Sequence, residues 1–272
     1  MTATVKTINK QACQPTCQQR VRVVQLTDPH LGPSADYQLA GINTCDSLNA
    51  VLERCREMAD AFVVTGDIAG DGALPAYELF DKKLSAEAVP YYWLPGNHDD
   101  LETMAATLNT PFRFEVTVGN WLLLMLDSRQ PGKVGGHIGE RQLQSALAAA
   151  EKHNGPVAVF MHHPLVDVNC AWLDKQKVSD GDAILEQLAE CSNIKAVFGG
   201  HVHQPTAVKR YRITVYTTPS TCFQFAANSD EFAFGDQGPG FRWIDFNDDG
   251  TIDTGVVELP AMDSLDRRCV GY

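Results

Sequence analysis

The chain has 272 residues, with 22 Lys plus Arg against 34 Asp plus Glu, a formal net charge of −12, 44% hydrophobic residues and 21% charged ones. That is the composition of an ordinary folded domain with ample core, and it excludes collagen-like, low-complexity and wholly disordered classes. The acidic balance argues against polymeric nucleic acid, whose binding rests on neutralising many phosphates, but not against a small phosphate ester, because bound cations can reverse the sign locally.

Residues 1–19 read as a disordered polar leader, residues 20–260 as one domain and residues 261–272 as a C-terminal tail. A strand is expected over Val21–Leu26, then a helix over 44–59 with Leu48, Val51, Leu52, Cys55 and Ala59 at helical spacing and Thr44 or Asp46 as its cap. Ala61–Thr65 is a buried strand, Pro75 opens a helix to Ser85, Pro90–Leu94 is a strand and Asp100–Leu108 a short helix. Phe112–Val118 and Trp121–Asp127 form a hairpin about Gly119-Asn120. A helix over Gly139–Lys152, a strand over Pro156–Met161, a helix over Ala183–Glu190 and a strand over Ile194–Phe198 follow. Short strands close the chain: Ala207–Arg210, Ile213–Thr217, Phe241–Phe246 and Thr251–Val257. The expected fold is α/β, with two sheets forming a β-sandwich flanked by helices.

The eight cysteines are scattered, and Cys13 and Cys17 lack CxxC spacing, so all read as reduced thiols. The longest strongly apolar run, Trp121–Leu126, falls far short of the roughly 20 residues that span a bilayer, and the leader lacks the apolar segment of a signal peptide. A soluble cytoplasmic protein without a membrane partner is expected; no pattern specifies an oligomeric state.

Five of the strands stop alike: a Gly or Pro turns the chain and a polar ligand type appears at once. The groups are Asp28 with His30, Asp67, Asn97 with His98, His162 with His163, and His201 with His203. Carboxyl ends of strands in an α/β sheet face one crevice, so these groups are expected to converge. Imidazoles with carboxylates suit iron, manganese, cobalt, nickel or zinc better than calcium or magnesium. So many donors exceed what one ion takes, whereas two ions about 3.5–4 Å apart with a shared carboxylate would use them, a device for in-line displacement at phosphorus. In the pairs Asp28-x-His30 and His201-x-His203, strand alternation is expected to point both side chains at one ion. His137 and His153 follow no such pattern and read as structural or exposed.

The ordered set Asp28-x-His30, Gly66-Asp67, Gly96-Asn97-His98-Asp99, His162-His163-Pro164 and Gly200-His201-Val202-His203 resembles the calcineurin-like metallophosphoesterases over about residues 20–260. Trp93–Asp99, Cys170–Asp174, Thr218–Phe225, Pro239–Arg242 and the closing Gly271-Tyr272 look like the bacterial class III 3′,5′-cyclic-AMP phosphodiesterases. The resemblance implies that Asp28, His30 and His203 hold one ion, Asn97, His162 and His201 the second, and that Asp67 bridges. Iron or manganese is the expected pair, with cobalt or zinc as alternatives. Relatives often keep only the first position of the double His, so His162 is taken as the ligand and His163 as a pocket-lining or supporting residue.

The implied reaction is hydrolysis of cAMP to 5′-AMP by a metal-bridging hydroxide. Asn97 and His98 are the catalytic residues, His98 protonating the leaving oxygen, and His30, Asp67, Asn97, His98 and His203 surround the substrate phosphate. Trp172 suits purine stacking and a core or lid position about equally, and Asp99 an orienting or capping role. Another small-substrate activity, glycerophosphodiesterase or broad phosphatase, is the alternative. A degenerate scaffold would be expected to lack ligands, and none is missing.

Overall fold

The structure is a computed structural model that describes residues 20–269. In chain order the elements are β1 (Arg20–Leu26), β2 (Gln38–Leu39), β3 (Ile42–Asn43), α1 (Thr44–Cys55), β4 (Ala61–Thr65), α2 (Leu74–Ala86), β5 (Tyr91–Leu94), α3 (Leu101–Thr107), β6 (Glu115–Val118), β7 (Trp121–Met125), α4 (Glu140–Lys152), β8 (Val157–Phe160), α5 (Gly181–Glu190), β9 (Ile194–Gly199), β10 (Thr206–Arg210), β11 (Ile213–Thr217), β12 (Gly240–Asn247) and β13 (Ile252–Glu258). The leader and its Cys13 and Cys17 lie outside the described residues. No described helix is long and apolar enough to cross a membrane.

Two sheets carry the architecture. One has the order β13-β12-β1-β4-β5, the other β10-β11-β9-β8-β7-β6. The inner strands run parallel: β1 with β4 and β4 with β5 in the first sheet, β7 with β8, β8 with β9 and β9 with β11 in the second. Parallel strands covered on both faces read as continuous apolar runs, which is why Phe62-Val63-Val64 and Val157-Ala158-Val159-Phe160 are wholly buried. Between the sheets pack Val23, Val63, Leu123, Phe160, Phe198 and Ile244. Against the outer face of the first sheet, Leu48 and Val51 of α1, Tyr77 and Phe80 of α2 and Met104 of α3 join Val24, Leu26 and Val64. Leu143 of α4 and Ile184 and Leu188 of α5 cover the second sheet in the same way. At about 1.5–3 kcal/mol for each large apolar side chain, these three layers hold a four-layer helix-sheet-sheet-helix sandwich together.

Two local expectations are corrected. The first helix is capped by Asn43, whose Oδ1 accepts the Asp46 amide at 2.9 Å, not by Thr44 or Asp46. It ends as α-helix at Cys55, and a 3₁₀ turn over Arg56–Met58 completes it. The tiny β2–β3 ladder was not foreseen, because two residues per strand leave no periodicity to read. Between β11 and β12 the chain forms loops whose Phe223, Phe225 and Phe234 gather with Cys170 and Val202. Residues 261–269 lie on this cluster: the Asp266 amide donates to Ala40 O at 2.8 Å and Arg267 Nη1 to Phe234 O at 3.1 Å.

Candidate metal centre

The donors sit where their strands end, but in turned rather than extended backbone. Asp28, His30, Asp67, His201 and His203 have φ of 53°, 45°, 50°, 65° and 47°, all in the left-handed region. Asp and His visit that region more readily than most residues, yet each such conformation stores about 1–3 kcal/mol that the surroundings must hold. The pairs Asp28/His30 and His201/His203 therefore share a centre through sharp left-handed turns, not through strand alternation. Tight glycines make room. A Cβ at Gly96 would stand 2.1 Å from Asp67 Oδ1, and one at Gly200 would stand 2.0 Å from Thr27 Oγ1 and 2.9 Å from Asp28 Oδ2.

Two donor groups result. In the first, His30 Nε2 and His203 Nε2 face one another at 3.3 Å, with Asp28 Oδ1 3.8 and 3.4 Å from them. In the second, His162 Nε2 stands 3.1 Å from Asn97 Oδ1 and 3.2 Å from Asp67 Oδ2, and His201 packs beside it with ring centroids 5.1 Å apart. Asp67 Oδ2 also lies 3.9 Å from His30 Nε2, so this carboxylate stands between the groups. Among the described residues Asp28 Oδ1 is fully buried with no hydrogen-bond partner, while His203, His30 and His162 nitrogens stand off at 3.4, 3.8 and 4.0 Å. A buried carboxylate oxygen ringed by imidazole nitrogens suits a transition-metal cation, so the residues present fit a pair of such ions.

The electrostatics ask for positive charge. Burial opposes ionisation of Asp67, but His162, His98 and His30 together outweigh burial and hold the carboxyl well below the carboxylate range; against the same burial, Asp67 lifts His162 to about 9. Burial likewise opposes ionisation of Asp28, and His203 and His162 together more than offset it. Burial drives His30 and His201 well below the usual imidazole value, keeping their nitrogens neutral as ligation requires.

Three of the ligand imidazoles are aimed by a bond at the far nitrogen, the usual way a ligand's tautomer is set. His162 Nδ1 donates to Thr65 O at 2.7 Å, and His203 Nδ1 to Phe223 O at 2.8 Å. His201 Nε2 pairs with Gln176 Oε1 at 3.1 Å. His163 differs: Nε2 donates to Val134 O and Nδ1 meets Ser128 Oγ, both at 2.8 Å, so both nitrogens are engaged by protein. Burial and the neighbouring His162 push it down to about 3, and it stays neutral.

His98 and Asn97 are half-buried, more open than the buried histidines around them. His98 Nδ1 lies 3.0 Å from Gly70 O, and since a carbonyl only accepts, Nδ1 carries a proton. Its backbone N–H donates to Asp67 Oδ1 at 2.9 Å. Asp99 clamps the turns that carry these residues: it accepts from Ile68 N, Ala69 N, Gly96 N and the Tyr77 hydroxyl at 3.2, 3.0, 2.9 and 3.1 Å. Asp71 caps Ala73 N, and Trp172 packs edge-on against Phe225 and Phe232 in the loop cluster. His137 lies 3.8 Å from Asp180, and His153 bonds Asn120 O, both away from the centre. Sequence reasoning missed Gln176, Ser128 and the carbonyls of Thr65, Gly70 and Phe223. Carbonyls leave no residue signature, and Gln176 sits in irregular backbone.

Cavities of about 420 Å³ flank the centre on two sides, one lined by Asn97, Asp99 and Arg129, the other by His203, Phe225, Asn169 and Asn228. A larger one, about 520 Å³ near Glu151 and Glu190, is lined by none of the donors.

The calcineurin-like phosphoesterase family profile matches residues 21–205, a span that contains every donor described above. The chain is a calcineurin-like phosphoesterase. It is 33% identical over 95% of its length to the 3′,5′-cyclic adenosine monophosphate phosphodiesterase CpdA of Pseudomonas aeruginosa, covering 97% of that protein. It is 32% identical to the 3′,5′-cyclic-nucleotide phosphodiesterase alr5338 of Nostoc sp. over 88% of this chain and 93% of that one. Among solved structures, a dimetal phosphatase from Danio rerio superposes with a TM-score of 0.59 at 17% identity, over 88% of this phosphoesterase and 98% of the other chain. A purple acid phosphatase from yellow lupin superposes with a TM-score of 0.61 at 14% identity, over 94% and 57%. At these identities the two superpositions speak for the fold alone.

Proposed function

We propose that this phosphoesterase hydrolyses the 3′,5′-cyclic phosphodiester of cAMP to 5′-AMP, with residues 20–260 as the catalytic unit. The observation that carries the reading is the placement of Asp67 between two imidazole groups, Oδ2 being 3.2 Å from His162 Nε2 and 3.9 Å from His30 Nε2. Relatives named cyclic-nucleotide phosphodiesterases, matched over nearly their whole lengths, supply the substrate class.

Asp28, His30 and His203 would hold one ion, Asn97, His162 and His201 the second, and Asp67 both. Two divalent ions there would acidify a water to near neutrality and offset charge on the phosphate oxygens. Iron or manganese suits the donors. Asn97 and His98, facing solvent more than the buried ligands do, offset charge on the equatorial oxygens. With Nδ1–H held by Gly70 O, the imidazolium of His98 carries its mobile proton on Nε2, ready for the 3′ oxygen as the P–O3′ bond breaks. Such a proton transfer is worth about 10²–10⁴-fold in rate.

A reducing cytoplasm agrees with this substrate and with six described cysteines that are all free thiols. The test is a side-by-side assay of cAMP, cGMP, 2′,3′-cAMP, glycerophosphodiesters and p-nitrophenyl phosphate with metal analysis of the same sample. Turnover of cAMP above the others by a two-metal protein is expected. Preference for glycerophosphodiesters or the monoester would overturn the substrate assignment.

A further inference from the structure

Between the sheets a buried polar group, with Gln25 at its middle, breaks the apolar pattern directly beneath the centre. Gln25 is wholly buried on the face of β1 that also carries Val23, in the layer of Val63, Ala196, Phe198 and Ile244. A buried amide is costly unless it is bonded, so packing does not explain it. It is bonded on both ends. Nε2 donates to Thr65 Oγ1 at 2.9 Å and to Gly199 O at 3.0 Å, and Oε1 accepts from Thr218 Oγ1 at 2.7 Å. The Thr218 hydroxyl in turn accepts from Arg242 Nε at 3.3 Å. Arg242 is buried as well, held by Thr217 O at 2.8 Å and Thr254 Oγ1 at 3.1 Å and set over the Tyr216 ring at 5.0 Å.

The residues that this amide joins lead directly into the donor set. Gln25 itself stands three positions before Asp28, Thr65 two before Asp67 and Gly199 two before His201. Thr65 also supplies the carbonyl that aims His162, at 2.7 Å. Gln25 and Thr65 belong to the first sheet and Gly199 to the second. The donors divide the same way: Asp28, His30, Asp67 and Asn97 follow strands of the first sheet, and His162, His201 and His203 follow strands of the second. Apolar contacts between sheets are non-directional and tolerate small slips, whereas hydrogen bonds fix distance and angle.

Resting on the reading of this site as a two-metal centre, we propose that Gln25 is a positioning residue that fixes the spacing between the donors that follow the first sheet and the donors that follow the second, both of which each ion would draw on. It touches neither ion nor substrate and acts through Thr65 and Gly199.

The test compares Gln25→Met, which fills the space without the bonds, with Val23→Ala, a destabilising change on the same face of the same strand. Each full-length protein is loaded with Mn²⁺. Ion retention is measured by chelator competition, and exchange coupling of the Mn²⁺ pair, which follows ion–ion separation, by electron paramagnetic resonance. Gln25→Met is expected to weaken retention of at least one ion about 10–100-fold, the range for residues that orient metal ligands, and to alter the coupling. Val23→Ala is expected to melt lower with wild-type retention and coupling. Wild-type behaviour of Gln25→Met, or equal loss in Val23→Ala, overturns the inference. Should Gln25→Met not fold, Thr218→Val removes the bond to Oε1 at constant shape; a smaller shift in the same direction is expected, and an unchanged spectrum overturns the inference. Wild-type protein that takes up no ion pair overturns the two-metal reading and this inference together. Two ions in the wild type beside an unaltered Gln25→Met overturn the inference alone.

Discussion

The Asp67 carboxylate and the His162 imidazole meet across the gap between the two sheets, Oδ2 3.2 Å from Nε2. Asp67 follows β4 of the five-stranded sheet and His162 follows β8 of the six-stranded one, so the centre exists only where the sheets face each other.

Asp67→Asn keeps the shape but removes the charge that both donor groups share. Elemental analysis is expected to show the loss of at least one ion per chain. Two ions retained would refute the shared position of this carboxylate.

His98→Gln is expected to keep both ions, because the His98 ring bonds Gly70 O and is not itself one of the assigned donors. Turnover should fall about 10²–10⁴-fold, the value of a positioned general acid. Metal loss in parallel with activity would contradict that role.

Stripping the ions with a chelator should lower the melting temperature, because cations that bind only the folded chain stabilise it by mass action. At an ion concentration 100-fold above Kd that amounts to about 2.7 kcal/mol, or roughly 5 °C or more for a chain of this size. Scanning calorimetry of stripped and reloaded protein checks it, and identical transitions would count against the ions binding the buried donors.

Asp99→Asn should loosen the turns at 66–70 and 96–98. Each carboxylate oxygen of Asp99 accepts two hydrogen bonds, so either orientation of an asparagine sets its NH₂ against two donors. A stability loss of about 2 kcal/mol is expected in denaturant titration, with reduced turnover. Unchanged stability would show that the clamp is dispensable.

Asn43→Ala provides a contrast. Loss of the cap on α1 should cost about 1 kcal/mol and leave metal content and turnover unchanged. A change in metal content would tie the first helix to the centre in a way its position on the outer face does not suggest.

Much of the fold was legible because parallel strands buried on both faces are written as apolar runs, and because Gly or Pro ends them abruptly. Ala61–Thr65 agrees residue for residue. The cap of α1 was read as Thr44 or Asp46 instead of Asn43, since Asn, Thr and Asp are all competent there and only backbone geometry chooses Asn43. The use of strand alternation to pair Asp28 with His30 was wrong in mechanism: left-handed turns do the pairing, and φ has no residue code beyond the tolerance of Asp, Asn and His.

Short-range chemistry was enough to name the donor types and their order along the chain, because each follows its own strand by two to four residues. Which donors face one another was decided by tertiary structure alone. The partners that aim the imidazoles are carbonyls from Thr65, Phe223 and Gly70, and the amide bolting the sheets reaches Gly199, 174 residues away. Backbone groups are the same in every residue, so a sequence cannot mark them. Only the packing of two sheets brings them within hydrogen-bond reach of the side chains they hold.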